Sequence, residues 1–358
     1  MTTESAFSPL TIGRTHLRNR LVMSAMTRSR ATGDGRATAD IAEYYRQRTG
    51  AGLLVTETTQ ISTRARSYPT TPGIHSTEQA ASWERVAEVV HDAGSAVYLQ
   101  LFHGGRVGDD SMRGGLAAHA PSAVAAPGKS FTPAGLVDHP VPTAMTDAEI
   151  RATIREFAGA ARLAVGAGFD GVQLHGANGY LPHQFLGRSS NLRTDDWGGS
   201  AANRVRFTVE TIRAMADAVG PDRVSLRISP AADVLGVDEE GTEELYGEML
   251  SAVDGVGLAF LDVVEAVGQR ELTQRLRKSW SGVLALNPHR DAEPAPPHEV
   301  VPDALDSGAD LVVLGKPWLA NPDLDRRIAS GGPYNEPDHT TFYGGTAAGF
   351  LDYPALAG

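Results

Sequence analysis

The stretch Thr146–Tyr180, TDAEIRATIREFAGAARLAVGAGFDGVQLHGANGY, decides the fold. Its first part reads as a helix. Thr146 precedes an apolar-periodic run and Glu149 follows three residues later, the spacing of a capping box. The glycines of VGAG stop that helix. Phe169–His175 then gives FDGVQLH, a near-continuous apolar run, as expected of a parallel strand covered on both faces. A capped helix feeding a buried strand is the repeating step of an α/β fold.

The same step recurs in both directions along the chain. The strand candidates are Leu21–Met26, Gly52–Thr58, Ala96–Phe102, Phe169–His175, Arg223–Ser229, Leu258–Val264, Gly282–Leu286 and Leu311–Gly315. Helices open at Thr77, Thr146, Ser200 and Thr242, with weaker ones around Glu271–Lys278, His298–Ser307 and Asp323–Ala329. Eight strands alternating with about as many helices predict a (β/α)8 TIM barrel. A doubly wound sheet would need a glycine-rich turn after the first strand, and LVMSAMTRSRA has none. No linker or internal repeat divides residues 1–358, so one domain is expected. The segment His103–Met145 has no strong hydrophobic period and reads as an extended loop after strand 3, on the active-site face.

Composition narrows the function. The 358 residues contain no cysteine, which removes disulfide scaffolds, thiolate metal sites and cysteine nucleophiles. A net charge of −11 speaks against a nucleic-acid binder. No apolar run reaches the length of a membrane span. The start MTTESAFSPL lacks the features of a signal peptide, so a cytoplasmic enzyme acting on a small molecule is expected, monomeric or homo-oligomeric.

In this barrel, chemistry sits at the C-terminal ends of the strands. Those ends carry Met26-Thr27-Arg28, Thr56-Glu57-Thr58, Gln100 with Phe102-His103, His175 with Asn178 and Tyr180, Arg227, Asn287, and Gly315-Lys316. Donors dominate. There is no metal-hydrolase histidine pair and no carboxylate pair for a glycosidase. Such a ring suits a planar, acceptor-rich, anionic cofactor and a substrate oxygen that gains charge. His175 and Asn178, three apart on a turn, can aim two donors at one oxygen. Tyr180 is a suitable acid for a carbanion or enolate. Arg227, alone on an apolar strand, demands a partner, whether structural or ligand. Lys316 lies where barrels often bind phosphate.

These residues resemble the Old Yellow Enzyme family of flavin-dependent ene-reductases. The resemblance spans FSPLTIGRTHLRNRLVMSAMTRSRA, YYRQRTGAGLLVTETTQIS, VYLQLFHGGR, AGFDGVQLHGANGYLPHQFL, NLRTDDWGGSAANRVRF, RVSLRISP, ADLVVLGKPWLANPDL and FYGGTAAGFLDYP. It implies FMN over the barrel mouth. Thr27 would meet the C4 carbonyl edge, on the branch with threonine rather than cysteine there. Gln100 would hold the pyrimidine edge, with Ala25, Met26 and Thr58 nearby. Arg227 would stand near N1 and the C2 oxygen, and Asn287, Gly315 and Lys316 toward the phosphate. His175 and Asn178 would bind the substrate carbonyl and Tyr180 would protonate the α-carbon, with Phe102 as a wall of the pocket. The implied reaction is ping-pong. NADPH or NADH reduces FMN and leaves, and an α,β-unsaturated carbonyl compound then enters.

The sequence departs from the family pattern at one end of that site. Asn287-Pro288-His289-Arg290 replaces an Asn-Gly-Gly-Tyr turn. Pro288 has no N–H, and His289 adopts positive φ less readily than glycine. Lys316 replaces an arginine fork by a point charge. Compensation by His289 or Arg290, or weaker FMN binding, follows. An isomerase or pathway-tailoring role on the same fold therefore stays open beside the ene-reductase. Ala25, Trp197 and Phe350 read as packing changes.

Overall fold

A computed structural model describes residues 3–289 and 295–357. Eight parallel strands form a closed ring: β1 Leu21–Met23, β2 Leu53–Val55, β3 Ala96–Phe102, β4 Gly171–His175, β5 Val224–Ile228, β6 Phe260–Val264, β7 Leu284–Asn287 and β8 Leu311–Leu314. Each pairs with the next, and Val312 of β8 pairs with Leu21 of β1 to close the barrel. All eight lie inside or overlap the stretches expected from the sequence. β1 and β2 are shorter, because the chain leaves the ladder to build the mouth.

Among the described residues, the eight longest helices cover the ring: α1 Ala39–Arg46, α2 Thr77–Asp92, α3 Asp147–Gly166, α4 Ala201–Val219, α5 Thr242–Asp254, α6 Arg270–Lys278, α7 Pro297–Asp306 and α8 Leu324–Ser330, with the shorter Leu181–Leu186 and Lys316–Ala320 at the ends of β4 and β8. The capping box of α3 is present. The Thr146 side chain accepts from Glu149 N–H, and the Glu149 carboxylate accepts from Thr146 N–H. The Ser76 and Ser200 side chains cap α2 and α4 by accepting from the N–H groups of Gln79 and Asn203. Gly241, in a left-handed conformation, stands before α5, so Thr242 is its first residue and not its cap. The eight-residue α1, capped by Thr38, escapes the sequence reading because it is too short to show a period.

The alternation along each strand sorts the core into two bodies. Residues such as Leu54, Leu99, Leu174, Leu226, Leu261 and Leu286 face outward against the helices. Val22, Leu53, Val55, Tyr98, Phe260, Ala285, Leu311 and Val313 fill the barrel. Ile12 and Leu17, from the antiparallel hairpin of Leu10–Ile12 and Thr15–Leu17, join that inner cluster and close the N-terminal end. The interior is therefore mainly apolar below, where the buried Ser225 hydroxyl bonds the Val172 carbonyl, and the larger polar side chains of the same phase lie above.

The excursion between β3 and α3 is not a bare loop. It carries a hairpin, Lys129–Thr132 paired with Gly135–Asp138, and a short parallel pair of His119–Ala120 with Thr143–Ala144. Its tie to the frame is Arg106, which is buried. The guanidinium donates to the carbonyls of Leu235 and Gly236 at 2.9 and 3.0 Å, and more weakly to Val124 and Ala125 at 3.4 Å. Charge held by several carbonyls replaces the hydrophobic period that the sequence lacks there.

Candidate active site

Above the apolar layer, five strands contribute one polar side chain each, and these form a single chain of bonds. Gln100 Nε2 donates to Gln173 Oε1 at 2.8 Å, and Gln173 Nε2 donates to Asp262 Oδ2 at 3.0 Å. Arg227 Nη1 donates to the same Asp262 oxygen at 2.5 Å and Nη2 donates to Asn287 Oδ1 at 2.9 Å. Asn287 Nδ2 ends the chain on the Val313 carbonyl at 2.9 Å. The pairing register makes this possible, since Gln173 lies opposite Gln100 and Arg227 opposite Asp262. All five side chains are at most 9% exposed. Burial pushes the Asp262 carboxyl up from its ordinary range, against the pull of Arg227 and Gln173. Two acceptors in the layer stay unsatisfied, Gln100 Oε1 and Asp262 Oδ1.

The rim above this layer gathers His175, Phe102 and Tyr180. Ring centroids lie 4.6 Å apart for Phe102–Tyr180, 5.0 Å for His175–Tyr180 and 6.1 Å for Phe102–His175. Burial, and then the Arg227 charge, hold the His175 imidazole well below its usual range. It is therefore neutral at pH 7, and its buried Nδ1 has no partner. Burial and the neighbouring Tyr68 hydroxyl, 3.0 Å away, push the Tyr180 phenol well above its usual value. Tyr180 is thus protonated and its hydroxyl is one of a pair. Tyr68 escapes the sequence reading because it sits in the loop after β2, away from any strand end.

The turn that carries Asn178 and Tyr180 is strained and braced. Asn178 has φ +56° and Gly179 has φ +81°. A Cβ on Gly179 would lie 2.7 Å from Leu235 Cβ and 2.9 Å from the Val234 carbonyl, so only glycine fits. Asn178 N–H donates to Ser229 Oγ at 2.9 Å, and Gly179 N–H donates to His183 Nδ1 at 2.8 Å. Since Nδ1 accepts, the His183 proton is on Nε2, which faces Glu239 Oε1 at 2.8 Å. Tyr246 Oη also donates to Glu239, at 2.5 Å. Despite burial, these donors and Ala231 N–H hold the Glu239 carboxyl below its usual range.

On the opposite rim, Thr27 Oγ1 and Thr58 Oγ1 lie 2.7 Å apart, with Ala25, Met26 and Thr27 half-buried. The loop after β1 is pinned by Glu57, whose Oε2 accepts from Arg28 N–H at 3.0 Å and Ser29 N–H at 3.3 Å. Arg28, fully buried, donates onward to the carbonyls of Phe342 and Gly349 at 2.9 and 2.8 Å. Phe350 stacks on Tyr44 with centroids 4.3 Å apart, a packing role.

At the exits of β7 and β8, Asn287 is drawn into the polar layer by Arg227, so its side chain serves the interior. Pro288 offers no N–H, and His289 N–H donates to Glu265 Oε2 at 3.1 Å. A Cβ placed on Gly315 would make ordinary contacts with Met26 Sδ at 3.5 Å and Ser24 Cβ at 3.9 Å. Lys316 is exposed at the start of the short helix Lys316–Ala320 and forms no ion pair among the described residues. Arg290, the other candidate to compensate for Pro288, lies outside the described residues.

The profile of the NADH:flavin oxidoreductase / NADH oxidase family matches residues 5–335. The chain belongs to the Old Yellow Enzyme family. A relative in this family, a probable flavin mononucleotide-dependent alkene reductase of Leishmania infantum, is 40% identical over 97% of this chain and 96% of its own length. The 12-oxophytodienoate reductase 1 of Oryza sativa subsp. japonica is 36% identical over 98% of this chain and 92% of its own. Among solved structures, the Old Yellow Enzyme homologue of Zymomonas mobilis superposes with a TM-score of 0.93 at 35% identity, covering 98% of this chain and all of that one. No helix among the described residues is long and apolar enough to cross a membrane.

Proposed function

We propose that this chain reduces the C=C bond of α,β-unsaturated carbonyl compounds, with FMN as resident cofactor and NADPH or NADH as hydride donor. The observation that carries this reading is a protonated Tyr180 beside a neutral, unpartnered His175, both over a buried polar layer with spare hydrogen-bonding capacity.

The layer fits a flavin. Gln100 Oε1 is a buried acceptor without a donor, which suits the one N–H of the pyrimidine edge. Arginine carries five N–H donors, and Arg227 spends one on Asp262 and one on Asn287, so three remain for the N1 and C2 oxygen side. Thr27 and Thr58 supply hydroxyls on the opposite rim, Ala25 and Met26 backbone groups, and Gly315 with Lys316 the phosphate end. The chemistry that a flavin supplies when bound is the relay of hydride from the nicotinamide to the substrate β-carbon.

The chain's own residues do the rest. His175 and Asn178 orient the substrate carbonyl and donate to its oxygen as charge develops there. A neutral imidazole serves better than a cation, because it adds no second positive charge beside Arg227. Tyr180 hands its proton to the α-carbon. Phe102 closes one wall and keeps water from the pocket.

The visible spectrum of the purified protein tests this. A flavin band that bleaches anaerobically with NADPH and returns on adding a cyclic enone is expected. Replacing His175 and Asn178 by alanine should abolish enone turnover and phenol binding while the flavin stays bound. A colourless protein that takes up no FMN overturns the reading. It would favour the alternative, a non-redox or tailoring role on this fold, which rests on the loss of two phosphate donors at Pro288 and His289.

A further inference from the structure

Asp262 takes no part in substrate binding or proton transfer, yet it stands next to Arg227. Asp262 lies mid-way along β6 in phase with Phe260, so it projects into the barrel, and it is 1% exposed. A carboxylate there is costly unless it is paired. It is paired with Arg227, at 2.5 Å, and with Gln173, at 3.0 Å. A plain structural role would satisfy both carboxylate oxygens, yet Oδ1 has no partner. The pair is thus incomplete on one side, directly beneath the site.

We propose that Asp262 sets the reduction potential of the bound flavin by partly neutralising Arg227. The proposal rests on the reading that Arg227 faces the N1 and C2 oxygen side of FMN. A bare guanidinium favours whichever form of a nearby group carries more negative charge, here the reduced cofactor. A carboxylate in contact with the same guanidinium subtracts from that field, and within a buried layer little water screens either charge. The ion pair therefore holds the potential lower than Arg227 alone would, which favours passing hydride on over retaining it. Gln173 belongs to the same device. Its donation to Asp262 Oδ2 drains charge from the carboxylate, and its acceptance from Gln100 ties the setting to the residue that meets the pyrimidine edge. Asp262 touches neither cofactor nor substrate in this scheme; it acts through Arg227.

The test is the midpoint potential of the FMN-loaded protein, with the dissociation constants of oxidised and reduced FMN as a second readout. Asp262→Asn keeps an oxygen for Arg227 and removes the charge. The potential should move to a more positive value, with reduced FMN gaining affinity relative to oxidised FMN. A tenfold gain in that ratio corresponds to about 30 mV for a two-electron couple. Gln173→Met should move the potential the other way and covers the case in which the Asp262 variant does not fold. Asp262→Glu, which keeps the charge, should stay near wild type. Unchanged potentials in Asp262→Asn and Gln173→Met, together with a shift in Arg227→Gln, overturn the proposal and leave the flavin reading intact. An Arg227→Gln variant that also keeps the wild-type potential overturns the placement of Arg227 itself.

Discussion

Tyr180 shows how little a residue's identity says without its surroundings. A phenol in water loses its proton near pH 10. Burial and the Tyr68 hydroxyl push Tyr180 well above that, while burial and Arg227 push His175 well below 6.5. Between pH 7 and 10 the acid is therefore always protonated and the imidazole always neutral, so neither group should bend the pH profile of kcat/KM there. Tyr180→Phe should lower enone turnover by about 10²–10⁴, the usual span for losing a positioned acid. FMN content and the rate of flavin reduction by NADPH should be retained, because both precede the proton. Stopped-flow reduction and reoxidation followed separately would check this. A loss confined to the reductive half would mean that Tyr180 serves the nicotinamide instead. His175, Asn178 and Tyr180 are legible in the sequence because one turn carries all three. Asp262 is legible in principle, as a lone charge in FLDVV, by the same reasoning that singles out Arg227. Tyr68 is not, since only the folded loop after β2 brings it to Tyr180.

Elements, rather than residues, build the rim near Thr27. The end of β2, the loop after β1 and the segment 339–350 are joined by Glu57 and Arg28. Glu57 is buried, and burial pushes its carboxyl up to about 7, with the Arg28 and Ser29 N–H groups opposing. The folded state thus holds this proton more firmly than the unfolded chain, whose value is 4.5. The stability Glu57 contributes is greatest below the unfolded value, falls as pH rises through the folded value, and is constant beyond it. Relative to Glu57→Gln, the wild type should lose about 3 kcal/mol of stability between about pH 4.5 and 8. Urea unfolding of both proteins at several pH values measures the difference directly, and parallel curves would show that Glu57 stays ionised throughout. Nothing in the sequence announces this strap. Glu57 stands among threonines at a strand end, and its partners are backbone N–H groups that no side-chain pattern reveals.

Over the whole molecule, strand order is legible because each buried strand is a short apolar run, and the capping residues separate the helices. Ring closure follows only from the count of eight alternating strands, because Val312 meets Leu21 across nearly the full chain, and no local pattern encodes a contact of that range. The excursion after β3 looks like a bare loop in the sequence for a related reason: the buried Arg106, not an apolar stripe, ties it to the frame. The barrel is also the unit that responds to its cofactor. A ligand that binds only the folded state adds stability as RT ln(1 + [L]/Kd), about 2.7 kcal/mol at a hundredfold excess over Kd. Most of that gain should come from the isoalloxazine end, where the polar layer and the threonines lie. The phosphate end is poorer. Pro288 has no N–H, the His289 N–H is taken by Glu265, and Lys316 is the exposed cation at the β8 exit. FMN should therefore raise the melting temperature of the stripped protein only modestly more than riboflavin does at equal concentration. That increment should depend on Lys316. In Lys316→Ala the two flavins should protect alike, with the riboflavin shift itself unchanged, because Lys316 lies outside the polar layer. An FMN advantage that survives the substitution would place the phosphate on other groups. A Lys316→Ala protein that no longer responds to riboflavin would show that this lysine supports the barrel mouth and not the phosphate.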